Sequence, residues 1–145
     1  ERYLSEGMAQ FESRLKHYSP FETIVVPDIK GGGKRTAEVL KELEFEAFRK
    51  HFQPGDWMVL LDEKGKRYTS RGFAQQMQKW MNAGPKRLVF IVGGAFGFSP
   101  KMYEKANGLL SMSEMTTSHQ LIRVVFLEQI YRAFTILNNE PYHND

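Results

Sequence analysis

The chain has 145 residues, 41% of them hydrophobic and 26% charged. A chain this long buries roughly 70% of the surface its unfolded form exposes, enough for one continuous core without disulfide or metal staples. With 20 Lys+Arg against 17 Asp+Glu it is neither a polyanion nor a polycation. Its 11 Phe, 6 Tyr and 2 Trp exclude low-complexity disorder. The absence of cysteine excludes a disulfide framework, a thiol nucleophile, Fe–S ligation and a Cys-based zinc site.

Tyr3 to Tyr18 reads as a helix, because Leu4, Met8, Phe11 and Leu15 recur at helical spacing, and Ser19-Pro20 ends it. Ile24-Val25-Val26 reads as a short strand stopped by Pro27, followed by a basic glycine loop, Lys30 to Arg35. Thr36 to Phe52 is a second helix with Val39, Leu40, Leu43, Ala47, Phe48 and Phe52 on one side. Trp57 to Leu61 is an apolar strand closed by Asp62, with Gly65 in the next turn. Ser70 is placed to cap a third helix carrying Phe73, Met77, Trp80 and Met81 on one face, stopped at Asn82-Ala83-Gly84-Pro85. Leu88 to Val92 is apolar at every position, the pattern of a central parallel strand covered on both faces. Ser99-Pro100 opens a short helix, Leu109 to Ser113 is extended, and a long helix runs from about Ser118 to Leu137. Strands alternating with helices predict one α/β domain over residues 1–145, with a parallel sheet and right-handed crossovers. No run of about 18 apolar residues is present, so no membrane-spanning helix is expected; the lack of cysteine suits a reducing cytosol, and a cytoplasmic location is the expectation.

Charge is uneven: residues 1–53 are neutral, 54–99 carry +4 and 100–145 carry −1. The excess lies in Lys64, Lys66, Arg67, Arg71, Lys79, Lys86 and Arg87, which form either a solvated face or a surface for an anionic partner such as nucleic acid. Ligands of parallel α/β sheets bind outside the carboxyl ends of the strands. That selects the loops after Leu61 and after Val92, and the segment Met112–Thr117. Gly93-Gly94-Ala95-Phe96-Gly97 does not fit the dinucleotide fingerprint, and Lys30–Thr36 fails the phosphate-loop pattern because Asp28 and Arg35 stand at its fixed positions. The four histidines are scattered, so no metal site is expected. The last helix is apolar over most of its circumference, which predicts burial on more than one side and a two-fold dimer.

A set of segments then carries a resemblance: Leu60-Leu61-Asp62 with Gly65-Lys66, Phe90 to Gly97, Leu110 to Thr116, His119 to Val124, Leu127 to Phe134, and Pro141-Tyr142-His143. In order and spacing over nearly the whole chain they resemble the RlmH family of SPOUT methyltransferases. The resemblance implies a homodimeric α/β protein with a SPOUT-type parallel sheet, helices on both faces and a C-terminal deep trefoil knot. It implies methylation of N3 of a pseudouridine in helix 69 of 23S rRNA, within the assembled ribosome, with S-adenosylmethionine as donor. Carried onto this chain, the cofactor positions are Leu61, Gly93, Met112, Ser113, Glu114, Met115, Thr116 and Thr117, with Leu61, Met112 and Met115 as apolar walls. Arg132, Tyr142 and His143 are the candidate catalytic residues, the tail reaching the partner subunit's pocket. Lys30, Lys34 and Arg35 are the candidate RNA contacts. Members of that family begin with a strand ending in a Gly-Lys-Thr-like turn, and this chain starts after it. Thr117-Ser118 stand where the family usually has a bulky apolar residue and Pro. Three rival readings are a knotted tRNA methyltransferase, a non-catalytic nucleotide- or flavin-binding module, and an RNA-binding assembly factor without turnover.

Overall fold

The computed structural model describes residues 2–29 and 34–144. In chain order these form α1 (Arg2–Leu15), α2 (Ala37–Arg49), β1 (Asp56–Lys66), α3 (Ser70–Asn82), β2 (Arg87–Val92), α4 (Pro100–Lys105), β3 (Gly108–Leu110) and α5 (His119–Leu137). The helices start where small hydroxyl side chains accept the first orphan amides. Thr36 accepts from Val39, Thr69 from Gly72, Ser99 from Met102 and Ser118 from Leu121. Thr69 rather than Ser70 therefore caps α3, and Ser118 caps α5 from the position where the resembled family carries Pro. α3 ends at Asn82, and Gly84, just beyond its cap, takes φ +76°, a conformation that a residue with a Cβ adopts only with strain.

The sheet is parallel, in the order β2-β1-β3. β1 is thus the central strand, and β2, apolar from Leu88 to Val92, lies at the edge of the sheet among the described strands. That apolar run packs against a core on each face of the sheet and does not report a neighbour on both sides. Trp57, Val59 and Leu61 of β1, with Leu88 and Phe90 of β2, face a core built with α1, α3 and α5. Met58 and Leu60, with Val89 and Ile91, face a second core containing Phe45 of α2 and Met102 of α4. Phe90 is the hub of the first core, its ring 5.0 Å from Phe126, 6.0 Å from Trp80 and 6.4 Å from Phe73, in tilted or edge contacts worth about 0.5–1.5 kcal/mol each beyond area burial.

The segment expected as a strand at Ile24–Val26 is extended but joins no ladder, and Val25 is 61% exposed. Strand propensity is a local property, whereas a ladder needs a partner strand, and none of the described strands pairs with this segment. Conversely β1 runs five residues past Leu61. Its far end curls over β3, so that Leu110 pairs first with Leu61 and again with Lys66.

Arg87, read from the sequence as part of a basic face, is committed internally. It donates to both Asp56 carboxylate oxygens at 2.8 and 2.7 Å across the first register pair of β1 and β2, and to the His51 carbonyl at 2.9 Å. The Asp56 side chain is 3% exposed, and its bond to Arg87 holds its carboxyl below the usual carboxylate range. Replacing Asp56 by Asn leaves a guanidinium without its charge partner and is expected to cost about 2–3 kcal/mol of unfolding free energy near pH 7. Because the folded value is the lower one, this contribution is complete above the unfolded pKa of about 3.9 and fades as pH falls through the folded one. Urea titrations of the two proteins should therefore converge in acid.

Candidate functional site

All strands being parallel, their carboxyl ends lie on one side of the sheet. Leu61 stands in register between Val92 of β2 and Leu110 of β3. Gly93, directly after Val92, and Ser111-Met112, directly after Leu110, therefore flank it. Beyond Leu61, Asp62 accepts from the Lys64 amide at 2.8 Å and from the Tyr103 hydroxyl of α4. Burial first, and then this carboxylate, push the Tyr103 pKa upward. Gly65 lies flush on β3: a Cβ there would sit 2.5 Å from the Leu110 amide nitrogen and 2.7 Å from the Leu109 carbonyl carbon. The Ser111 amide then donates to the Lys66 carbonyl at 3.0 Å.

The glycine loop is held on several sides. A Cβ at Gly93 would meet the Phe98 ring at 2.8 Å, so this glycine is required by packing inside the chain. The Gly97 amide donates to the Gly94 carbonyl at 3.3 Å, with Gly97 at φ +83°. The Gly94 amide donates to Glu44 Oε1 of α2 at 3.1 Å. Gly93, Gly94, His119 and Arg123 border a groove of about 1010 Å³ that continues along β2. Met112 opens instead on a separate cavity of about 270 Å³, with Tyr68, Phe73, Ser111, Val125 and Gln129.

Residues 113–117 lie on the surface. Ser113 Oγ accepts from the Met115 amide at 3.0 Å, Glu114 pairs with Arg67 at 3.3 Å, and Met115 is 81% exposed. Met112 is thus placed against the core beside Leu61, whereas Met115, Thr116 and Thr117 project from it.

The chain after α5 turns back onto that helix. Asn139 adopts φ +56°, the Glu140 amide donates to the Thr135 carbonyl at 2.8 Å, and the Tyr18 hydroxyl donates to the Glu140 carboxylate at 2.6 Å. This brings Tyr142 and His143 to Arg132. The guanidinium lies 4.9 Å from the centre of the Tyr142 ring and 3.1 Å from His143 Nδ1. An arginine only donates, so Nδ1 accepts and a neutral His143 carries its proton on Nε2. Tyr142 stacks edge-on against Tyr131 at 4.8 Å. Its pKa is raised by burial and then by the nearby Glu128, so it remains a phenol at neutral pH.

Glu128 is the residue that sequence reasoning passed over. One turn before Arg132, it accepts from Arg132 Nε at 2.9 Å and from the second guanidinium nitrogen, and lies 3.5 Å from the Tyr142 hydroxyl. Its i, i+4 spacing to Arg132 on one helix face was the available signal. The Arg132 cluster draws its named partners from α5 and the tail. Along α5 it is about 20 Å from His119, which borders the glycine loop.

Lys34 and Arg35 are exposed just before α2, and Lys30 lies outside the described residues. Of the middle basic segment, Lys64 lies over the Tyr103 ring at 5.1 Å and Lys66 over the Tyr68 ring at 5.2 Å. Among the described residues no group of three or more His, Asp or Glu is arranged to hold a metal, and no helix is long and apolar enough to cross a membrane.

A three-stranded parallel sheet, clad by helices on both faces and with three loops gathered at one end, is an α/β framework for holding a ligand outside the strand ends. The family model described as predicted SPOUT methyltransferase matches residues 1–143, and the chain belongs to that family of methyltransferases. It is 52% identical to the ribosomal RNA large subunit methyltransferase H of Parabacteroides distasonis, over 99% of this chain and 91% of that protein. Proteins of the same name from Bacteroides fragilis and Cytophaga hutchinsonii are 48% and 45% identical, over 100% and 99% of this chain and 92% of each relative.

Proposed function

We propose that this chain is an S-adenosylmethionine-dependent rRNA methyltransferase acting on N3 of a pseudouridine in helix 69 of 23S rRNA, in the assembled ribosome, as a cytoplasmic homodimer. The observation that carries this reading is the near-full-length similarity to proteins named for methylating large-subunit rRNA. The residues present suit the donor. Tyr68, Phe73, Met112 and Val125 offer apolar walls for a base beside the hydroxyl of Ser111 and the amide of Gln129, and the backbone after Leu61, Val92 and Leu110 offers donors and acceptors. When bound, the sulfonium supplies an electrophilic methyl group.

The rest is positioning. N3 of a uracil ring is a weak acid, and Arg132, always charged, favours its deprotonated form. Tyr142, kept protonated, serves as a hydrogen-bond donor, and His143 presents its second ring nitrogen. Glu128 fixes the guanidinium orientation for all three.

Two features support the finer architecture. The segment Asp62–Lys66 wraps the end of β3 with Gly65 against bare backbone, which is the close passage that a chain threaded into a trefoil knot requires. Leu121 and Val125 of α5 are 43% and 38% exposed and one turn apart, an apolar stripe for a second copy. Because Arg132 and the glycine loop are far apart along α5, a partner's tail is the means of completing each pocket. Lys34 and Arg35 supply phosphate contacts, giving affinity that falls steeply with salt.

The test is methyl transfer from radiolabelled donor to ribosomes and to tRNA, with mass spectrometry of rRNA from cells lacking the protein. Labelled ribosomes and a missing methyl group in those cells are expected. Labelling of tRNA alone would move the substrate assignment. Calorimetric binding of FMN or ATP, with none of S-adenosylmethionine or S-adenosylhomocysteine, would overturn the enzymatic reading.

A further inference from the structure

We propose that Glu44 of α2 is a positioning residue for methyl-donor binding, acting through the backbone of the glycine loop. This rests on the reading of Gly93 as part of the donor site. Gly93 is fixed by the Phe98 ring, and the Gly94–Gly97 turn is closed by its own hydrogen bond. Both restraints are local, arising within six residues of chain. The Gly94 amide is held from further off: its partner, Glu44 Oε1 at 3.1 Å, comes from a different layer of the protein. The second carboxylate oxygen occupies the space where a Cβ at Gly94 would stand, 2.6 Å from that position. A glycine at 94 and a carboxylate at 44 are therefore one fitted pair.

The carboxylate is itself held in place. Phe45, the next residue, is 4% exposed in the core under β1 and β2, and Glu42 pairs with Lys101 of α4 at 3.2 Å. α2 is thus anchored on the sheet face beside the loop, and Glu44 projects from a fixed base. Burial raises the Glu44 carboxyl pKa, and the Gly94 amide opposes that shift by stabilising the charged form. A half-buried acid bonded to a main-chain amide is a charge-assisted contact, stronger than one between neutral groups. Its effect at the site is to set the orientation of the peptide unit between Gly93 and Gly94. That unit also carries the Gly93 carbonyl, so the bond at Glu44 decides where the acceptor at the donor site points.

The experiment uses the full chain and its Glu44→Ala and Glu44→Gln variants. Glutamine keeps an acceptor oxygen at the same reach, whereas alanine removes it. Three quantities are read: melting temperature, calorimetric affinity for S-adenosylhomocysteine, and KM and kcat for methylation of ribosomes. Alanine is expected to weaken binding and raise the donor KM by roughly tenfold or more, with kcat at saturating donor within about threefold. Glutamine is expected to restore most of that loss. Hydrogen exchange at the Gly94 amide should accelerate in the alanine variant alone. Wild-type affinity in the alanine variant overturns the proposal, as does a glutamine variant no better than alanine. A loss that simply follows melting temperature overturns it too, by assigning Glu44 a structural role. If the wild-type protein itself binds neither S-adenosylmethionine nor its product, the donor-site reading has failed, a result distinct from failure of Glu44 alone.

Discussion

Deleting residues 141–145 is expected to lower methyl transfer to ribosomes by about 10²–10⁴-fold while leaving the affinity for S-adenosylhomocysteine within about twofold of the intact protein. The cut removes Tyr142 and His143, and with them two of the three polar side chains gathered at Arg132. It spares the contacts that end α5, namely the Glu140 amide on the Thr135 carbonyl and the Tyr18 hydroxyl on the Glu140 carboxylate. It also spares every strand-end loop. The packing lost is the edge contact of Tyr142 on Tyr131 and the Arg132 cation–π contact, about 1–2 kcal/mol together. The truncated chain should therefore fold, bind and fail to turn over. Full activity of the truncated enzyme in a single-turnover assay would remove the tail from the mechanism. Loss of product affinity to the same extent as rate would instead make the tail part of the donor pocket.

Gly65→Ala is expected to be the most damaging single methyl group that can be added at the strand ends. The new Cβ would stand 2.5 Å from the Leu110 nitrogen and 2.7 Å from the Leu109 carbonyl carbon, both main-chain atoms that cannot swing away. Relief requires lifting the 62–66 segment off β3, which breaks the Lys66–Leu110 pairing and the Ser111 to Lys66 hydrogen bond. The cost is set at about 3 kcal/mol, a fall of roughly 8–10 °C in melting temperature for a chain this size. Donor affinity should drop with it, since that crossing holds Leu110, and the Ser111-Met112 segment that follows it, beside Leu61. Gly84→Ala is the control. It has φ +76° but open space around its Cβ position, so backbone strain is its only penalty, about 1 kcal/mol. Equal melting temperatures for the two variants would show that the crossing is loose.

Much of the architecture is legible in the order of residues because local rules and the global fold agree. The stripe of Leu4, Met8, Phe11 and Leu15 marks α1, Ser99-Pro100 marks the start of α4, and Asn82–Pro85 marks the end of α3. Ile24–Val26 misleads, because β-branched residues have local strand propensity but a ladder needs a partner, and none of the described strands pairs with this segment. β2 shows another limit. Periodicity reports which faces of a strand are covered and says nothing of how many neighbours it has, and among the described strands β2 pairs on one side only. Arg87 is indistinguishable by composition from a solvent-facing cation. Only the register that sets it opposite Asp56 reveals it as an internal ion pair.

The site divides along the same line. That a ligand is to be sought after Leu61, Val92 and Leu110 follows from parallel topology, and the chain's resemblance to a known family already pointed to those loops and to Arg132, Tyr142 and His143 as candidates. The sequence by itself thus determined the eight elements in their order but not which segments pair, the Ser99 cap of α4, the glycines at the turns and the family to which the chain belongs, since each is written in short-range pattern or in matched motifs. Tertiary structure alone decided that Glu44 reaches Gly94 from fifty residues away, that Tyr142 returns to Glu128 and Arg132, and that Gly65 touches bare backbone of β3. Long-range hydrogen bonds and backbone crossings depend on how layers stack in space, and no local periodicity carries that information.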